Sequence, residues 1–185
     1  MVTPLTDELN LIERAQSGDA SAFESLIGAY APALFRVVRR MASDDAEAEA
    51  IVQETLWRTW QTLERYQTDR PFFPFLVTIA LNLQRDQWKK ERNMDPGDFD
   101  DLTDDLAEDV PLPEALVTDQ ETLQVLAQAI QGLTPAYRRV ISLRYQGEFS
   151  YAEIAELLKL PINTVRTHLH RALLKLRQVL EEKYV

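Results

Sequence analysis

Between Arg166 and Arg177 the chain carries four basic residues, at 166, 171, 175 and 177, and no acidic one. The planar fork of an arginine suits bidentate contact with a guanine edge, and Thr167 or His170 can donate to a base or a phosphate. The segment before them sets these residues apart from an ordinary solvated basic stripe. Ser150-Tyr-Ala-Glu153 is a capping box, in which a Ser hydroxyl and a Glu carboxylate three residues on satisfy the first free N–H groups of a helix. Leu160-Pro-Ile-Asn163 ends that helix, because Pro161 cannot continue it and Asn163 can cap the next. A short helix, a tight turn and a basic helix form the arrangement that lays side chains into a DNA major groove.

The positioning elements follow from periodicity. A helix from Thr164 to about Lys183 puts Val165, Leu169, Ala172, Leu176 and Val179 on one stripe, which is read as core. Thr167, His170, Arg171, Leu174 and Gln178 face the other way, with Arg166 and Arg177 on the flank. Upstream, helices are expected over about 120–131, 135–146 and 152–159, with Gly132 and Gly147 as stops and Thr118 to Glu121 as a further capping box. The N-terminal region reads as four more helices. Thr6 caps the first, which stops near Gly18, and Ser21-Ala-Phe-Glu24 opens the second, with Phe23, Leu26, Ile27, Tyr30, Leu34, Val37 and Met41 in register. The third begins near Ser43 and carries Ile51, Val52, Leu56 and Trp60. The fourth runs from about Pro74 to Arg92, after a loop from Tyr66 to Phe73. No strand pattern competes, so the fold class is all-α: two small helical domains joined by a linker, the C-terminal one a helix-turn-helix.

Charge locates that linker. The net charge of −10 is unusual for a DNA-binding protein, but residues 93–121 alone hold 11 acidic residues and no basic one. Residues 122–185 hold 9 basic and 5 acidic residues. Three prolines, a glycine and dense like charge make 93–121 an extended acidic linker between domains at 1–92 and 122–185. Its acids lack the Gly and Glu spacing of a calcium loop. There is no cysteine, and the two histidines, His168 and His170, lie about 200° apart on a helix, so no metal site is expected. The crowded carboxylates of 44–49 suit a helix N-terminus. No phosphate loop or nucleophile elbow is present, so neither catalysis nor a cofactor is expected. Without a long apolar run or a signal peptide, the protein is expected to be cytoplasmic and not membrane-inserted.

A second chemistry-bearing cluster lies in the N-terminal region. Arg85, Lys89, Lys90 and Arg92 surround Trp88, and Tyr66, Phe72, Phe73 and Phe75 gather near Arg70. Aromatics beside cations suit single-stranded nucleic acid, where unstacked bases meet ring faces. Phe75 and Trp88 are read as core; for Tyr66 and Phe72 both readings stand.

These motifs together resemble the extracytoplasmic-function (ECF) group of bacterial RNA polymerase sigma factors. The resemblance rests on A-E-A-I-V-Q-E-T-L-W-R-T-W (48–60), P-F-L-V-T-I-A-L-N-L-Q-R-D (74–86), L-T-P-A-Y-R-R-V-I-S-L-R-Y (133–145), F-S-Y-A-E-I-A (149–155) and N-T-V-R-T-H-L-H-R-A (163–172). It implies a promoter-specificity subunit with no catalysis of its own. The partners implied are core RNA polymerase, through its β′ clamp helices and β flap, promoter DNA and an anti-sigma factor. Glu49, Gln53 and Glu54 would meet the clamp helices. Tyr66, Arg70 and Phe72 would form the loop that captures a flipped base of the −10 element, with Arg58, Asn82, Arg85 and Lys89 beside it. Arg144 and Tyr151 would touch phosphates near the −35 element, and Thr164, Arg166, Thr167, His170, Arg171 and Lys175 would serve its major groove. The acidic linker would pass through polymerase channels that nascent RNA later needs. The chain departs from the family's habit at Ala50 (usually Asp), Phe75 (Trp), Asn163 (Gly) and His168 (Arg). With no further domain after Val185, regulation is expected from outside the chain. A free-standing dimeric regulator leaves the aromatic loop and linker unexplained, and a helical adaptor leaves the basic face unexplained.

Overall fold

The computed structural model describes Leu5, residues 7–92 and residues 120–184, with side chains at 88–92, 120–123 and 183–184 outside the description. The acidic linker and the box opening at Thr118 therefore lie outside the described residues, as does Thr6. Among the described residues there are eight α-helices, one 3-10 turn and no strand. They fall into two compact units, one carrying the first four helices and the other the last four.

In the first unit, α1 (Glu8–Gln16) packs on α2 (Ala20–Met41), α2 on α3 (Asp45–Thr62), and α3 on α4 (Phe72–Arg92), with a 3-10 turn at Leu63–Arg65. Gly18, at φ +90, takes the left-handed conformation that lets the chain reverse between α1 and α2. The cap of α2 is Asp19, not Ser21: its carboxylate accepts from the N–H groups of Ser21 and Ala22. Hydrogen bonds from Ser21 and Arg14 hold that carboxyl well below the usual carboxylate range. Pro32 sits inside α2 without ending it. The cap of α3 is Asp44, with Glu47 reaching back to the N–H of Ser43.

The inward face of α3 differs from its apolar pattern. Thr55 and Thr59 are fully buried beside Ala48, Ile51 and Val52, whereas Trp60 is 39% exposed and leans on Phe23 at 4.9 Å. Both threonine hydroxyls donate to carbonyls four residues back, at 2.7 Å, so they enter the core already satisfied. α4 begins two residues before the expected Pro74. Proline in a first turn forfeits no helical hydrogen bond, so it does not mark the boundary.

In the second unit, α8 (Ile162–Tyr184) is the spine on which α5 (Gln120–Gln131), α6 (Pro135–Tyr145) and α7 (Tyr151–Leu158) pack. The capping box at Ser150 and Glu153 is present in both directions. Lys159, at φ 56, closes α7 in the left-handed conformation. α8 starts at Ile162, so Asn163 lies in its first turn, and the Pro161 carbonyl accepts from Val165 N–H at 3.2 Å. Its buried stripe is Val165, His168, Leu169, Ala172, Leu173, Leu176 and Leu180. Val179, expected inward, is 42% exposed; the straight 3.6-residue period favours Leu180, one turn after Leu176.

Candidate nucleic-acid and polymerase interfaces

Burial of the α8 stripe fixes which residues α8 can present to a partner. Thr164, Thr167, His170 and Arg171 are half-buried at its margin, and Arg166, Leu174, Lys175 and Arg177 are exposed. His168 packs as a core residue, edge-on to Tyr137 at 5.5 Å. Not every cation here is uncommitted: Arg177 pairs with Glu181 at 2.7 Å, and the Lys175 ammonium lies 5.1 Å from the Tyr137 ring centroid.

Three predicted residues converge at the start of α7. The Arg144 guanidinium lies 5.4 Å and that of Arg166 6.0 Å from the Tyr151 ring centroid. Arg144 also donates to the Phe149 carbonyl at 3.2 Å. One aromatic ring thus collects a cation from α6 and another from α8, at the capped N-terminus of α7. Two guanidiniums gathered this way suit a phosphate better than a base edge.

On α3, Glu49 and Gln53 are exposed and Glu54 is half-buried. Glu54 accepts from Arg58 at 2.7 Å, so Arg58 belongs to the α3 surface and shares its charge with that carboxylate. Trp57, 54% exposed, lies one turn on from Gln53 and extends the same surface. In the sequence only Trp60 of this helix falls in the apolar set, and Trp57 carries no assignment of its own.

On α4, Asn82 and Arg85 are exposed one turn apart, with Arg85 at 4.0 Å from the Asp86 carboxylate. Lys89 follows one turn later, its side chain outside the described residues. Two ring assignments change where the loop enters α4. Phe72 is 0% exposed and Tyr66 only 8%, each packed against the other and against Phe75 at 4.8–6.0 Å. Neither ring has a face to offer a base; both are core. Arg70 is exposed, as are Gln67, Thr68 and Asp69. Burial pushes the Tyr66 phenol up to about 12, with the Glu8 and Asp69 charges adding to the effect. Tyr30 is raised likewise, by burial and by donating to Glu8. No group of three or more metal-ligating side chains occurs among the described residues, and no helix there is long and apolar enough to cross a membrane.

Two all-helical units, the second a helix-turn-helix with a cationic outer face, define a DNA-binding transcription protein of two modules. The family model for sigma-70 region 2 matches residues 26–94, and that for sigma-70 region 4 matches residues 123–176. The chain is 32% identical over 178 residues to the ECF RNA polymerase sigma factor SigW of Bacillus subtilis, covering 92% of this chain and 95% of that protein. It is 31% identical over 187 residues to the RNA polymerase sigma factor NccH of Alcaligenes xylosoxydans xylosoxydans, with both chains covered in full, 100% each. Its fold is similar to that of CnrH, solved in complex with the cytosolic domain of CnrY, with a TM-score of 0.68 at 26% identity over 94% of this chain and 97% of that one. The chain belongs to the ECF family of RNA polymerase sigma factors. It binds core RNA polymerase and directs promoter recognition and transcription initiation.

Proposed function

We propose that the two units divide promoter recognition between them, residues 1–92 serving the polymerase clamp and the melted −10 strand and residues 122–185 the −35 duplex, with 93–121 as an acidic connection. The outer face of α8 carries this reading: Thr167, His170 and Arg171 share a side with Lys175 while the opposite stripe is sealed. Thr164 opens that face, and Arg144, Tyr151 and Arg166 supply its phosphate grip. In the first unit, Arg70, Asn82, Arg85 and Lys89 serve the single strand, and Glu49, Gln53 and Glu54 serve the β′ clamp helices, with Arg58 holding Glu54 in place. The second unit also meets the β flap. The protein works in the cytoplasm, without a cofactor and without catalysis of its own, under the control of an anti-sigma factor.

Reconstitution with core polymerase tests this. Footprinting of the holoenzyme on a responsive promoter is expected to show protection at both elements, and protection at neither element overturns the reading. Glu54→Lys is expected to weaken core binding about tenfold, through reversal of one interfacial charge. It should leave the melting temperature nearly unchanged, since the lost Glu54–Arg58 pair is an exposed helical pair worth about 0.3–0.5 kcal/mol. Unchanged core affinity in that variant removes α3 from the interface.

A further inference from the structure

The short connection between the 3-10 turn and α4 is held at three of its carbonyls. The N–H of Tyr66 donates to Leu63 O at 2.9 Å, and that of Arg70 to Gln67 O at 3.3 Å, which closes a four-residue turn over Gln67–Arg70. The Tyr66 side chain folds back over this turn, and its hydroxyl donates to the Arg70 carbonyl oxygen. From α1, Gln16 reaches across with its side-chain amide. Its nitrogen donates to Leu63 O at 3.0 Å and to Tyr66 O at 2.9 Å, partners 47 and 50 residues away in sequence. An amide nitrogen has two protons, and both are spent here. The turn is thus pinned at its entrance by Gln16 and at its exit by the Tyr66 hydroxyl. Burial pushes the Tyr66 phenol up to about 12, so the hydroxyl holds its proton at neutral pH.

Between these two anchors the side chains of Gln67, Thr68, Asp69 and Arg70 are all exposed. They offer an amide, a hydroxyl, a carboxylate and a guanidinium within one turn of backbone, a set of donors and acceptors able to read a base edge. A mobile turn bearing the same groups must be ordered at the moment of binding, which costs affinity and blurs discrimination between bases.

We infer that Gln16 and Tyr66 are positioning residues for recognition of the −10 strand, holding the Gln67–Arg70 turn in its reading conformation before DNA arrives. The inference rests on the proposed role of this loop in −10 recognition. It takes Tyr66 out of stacking on a base and gives its hydroxyl the work. It also gives α1 a part in promoter specificity without requiring that helix to touch DNA.

The test uses reconstituted holoenzyme and a pool of single-stranded DNA oligonucleotides randomised across the −10 element. Wild-type holoenzyme should enrich a defined base at one position, and Arg70→Ala should abolish that preference. If wild type enriches nothing, or Arg70→Ala changes nothing, the loop's proposed role fails first. Given that preference, Gln16→Ala is expected to reduce discrimination between the best and worst base about tenfold, as a preordered turn becomes one ordered on binding. Core affinity should stay as in wild type. Tyr66→Phe, which keeps the buried ring and removes only the hydroxyl, should show the same loss and guards against a simple folding defect. The inference is overturned if both variants keep the wild-type base ranking and discrimination within about twofold, whatever their melting temperatures, since that is what purely structural hydrogen bonds predict. An equal loss of affinity for every oligonucleotide, with ranking intact, overturns it as well.

Discussion

Replacing Phe72 with alanine is expected to destabilise the first helical unit by about 3–5 kcal/mol, the usual cost of deleting a fully buried aromatic ring. Phe72 has no exposed surface and touches Tyr30, Tyr66 and Phe75 with ring centroids at 5.5–6.0 Å, so its loss opens a cavity at the junction of α2 and α4 and beneath the loop. Chemical denaturation followed by near-ultraviolet circular dichroism measures the effect. Phe72→Leu, closer in volume, should cost much less, under about 1.5 kcal/mol. A base-stacking residue behaves in the opposite way: truncating an exposed ring leaves stability within about 0.5 kcal/mol and lowers only binding to single strands. A stable Phe72→Ala protein with weak single-strand binding therefore rules out the core assignment.

Arg171→Ala in the holoenzyme is expected to lower affinity for a −35 duplex by about 1–3 kcal/mol and to relax base preference at one position, the signature of a lost arginine–guanine contact. Arg166→Ala should behave differently although it lies on the same helix. With Arg144 it is gathered on the Tyr151 ring, so its removal should weaken specific and scrambled duplexes equally and reduce the salt dependence by about one unit of slope. Titrations at several salt concentrations on both duplexes separate the two. Uniform loss from Arg171→Ala, together with altered preference from Arg166→Ala, reverses the assignment of base reader and phosphate clamp.

Features that depend on residues within one helical turn were legible in the sequence. The Ser150–Glu153 box is a reciprocal pair of local hydrogen bonds, so the residue types at that spacing suffice to find it. The helix-turn-helix, the helices over 120–131 and 135–145 and most of the α8 core stripe follow from the same local logic. Errors arose where local signals compete. Asp19 and Ser21 both favour a helix start, and Asp19 prevails because Arg14 and the Ser21 hydroxyl also bind its carboxylate. Thr55 and Thr59 count as polar in any periodicity, yet each consumes its own hydroxyl within the helix and buries a methyl group. Tyr66 and Phe72 carry the residue types of a stacking platform, and only tertiary packing shows that both are buried, edge-on to one another. Gln16 had no sequence signal at all, because its partners are backbone carbonyls, which every residue has, and they lie 47 and 50 positions away.

The self-satisfied threonines of α3 have a consequence for how such a protein can diverge. Its inward stripe of Ala48, Ile51, Val52, Thr55 and Thr59 asks no polar group of the outward stripe, and the Thr hydroxyls bond only to their own backbone. Substitutions at Glu49, Ala50, Gln53 or Trp57 therefore meet solvent and leave the core's hydrogen bonding and packing in place. The helix is a stable backbone with an editable outer margin. If α3 meets the polymerase as proposed, duplicated copies of such a gene can drift in how tightly they compete for that enzyme while the fold beneath stays the same. The genetic distance between a strong competitor and a weak one is then a few surface codons.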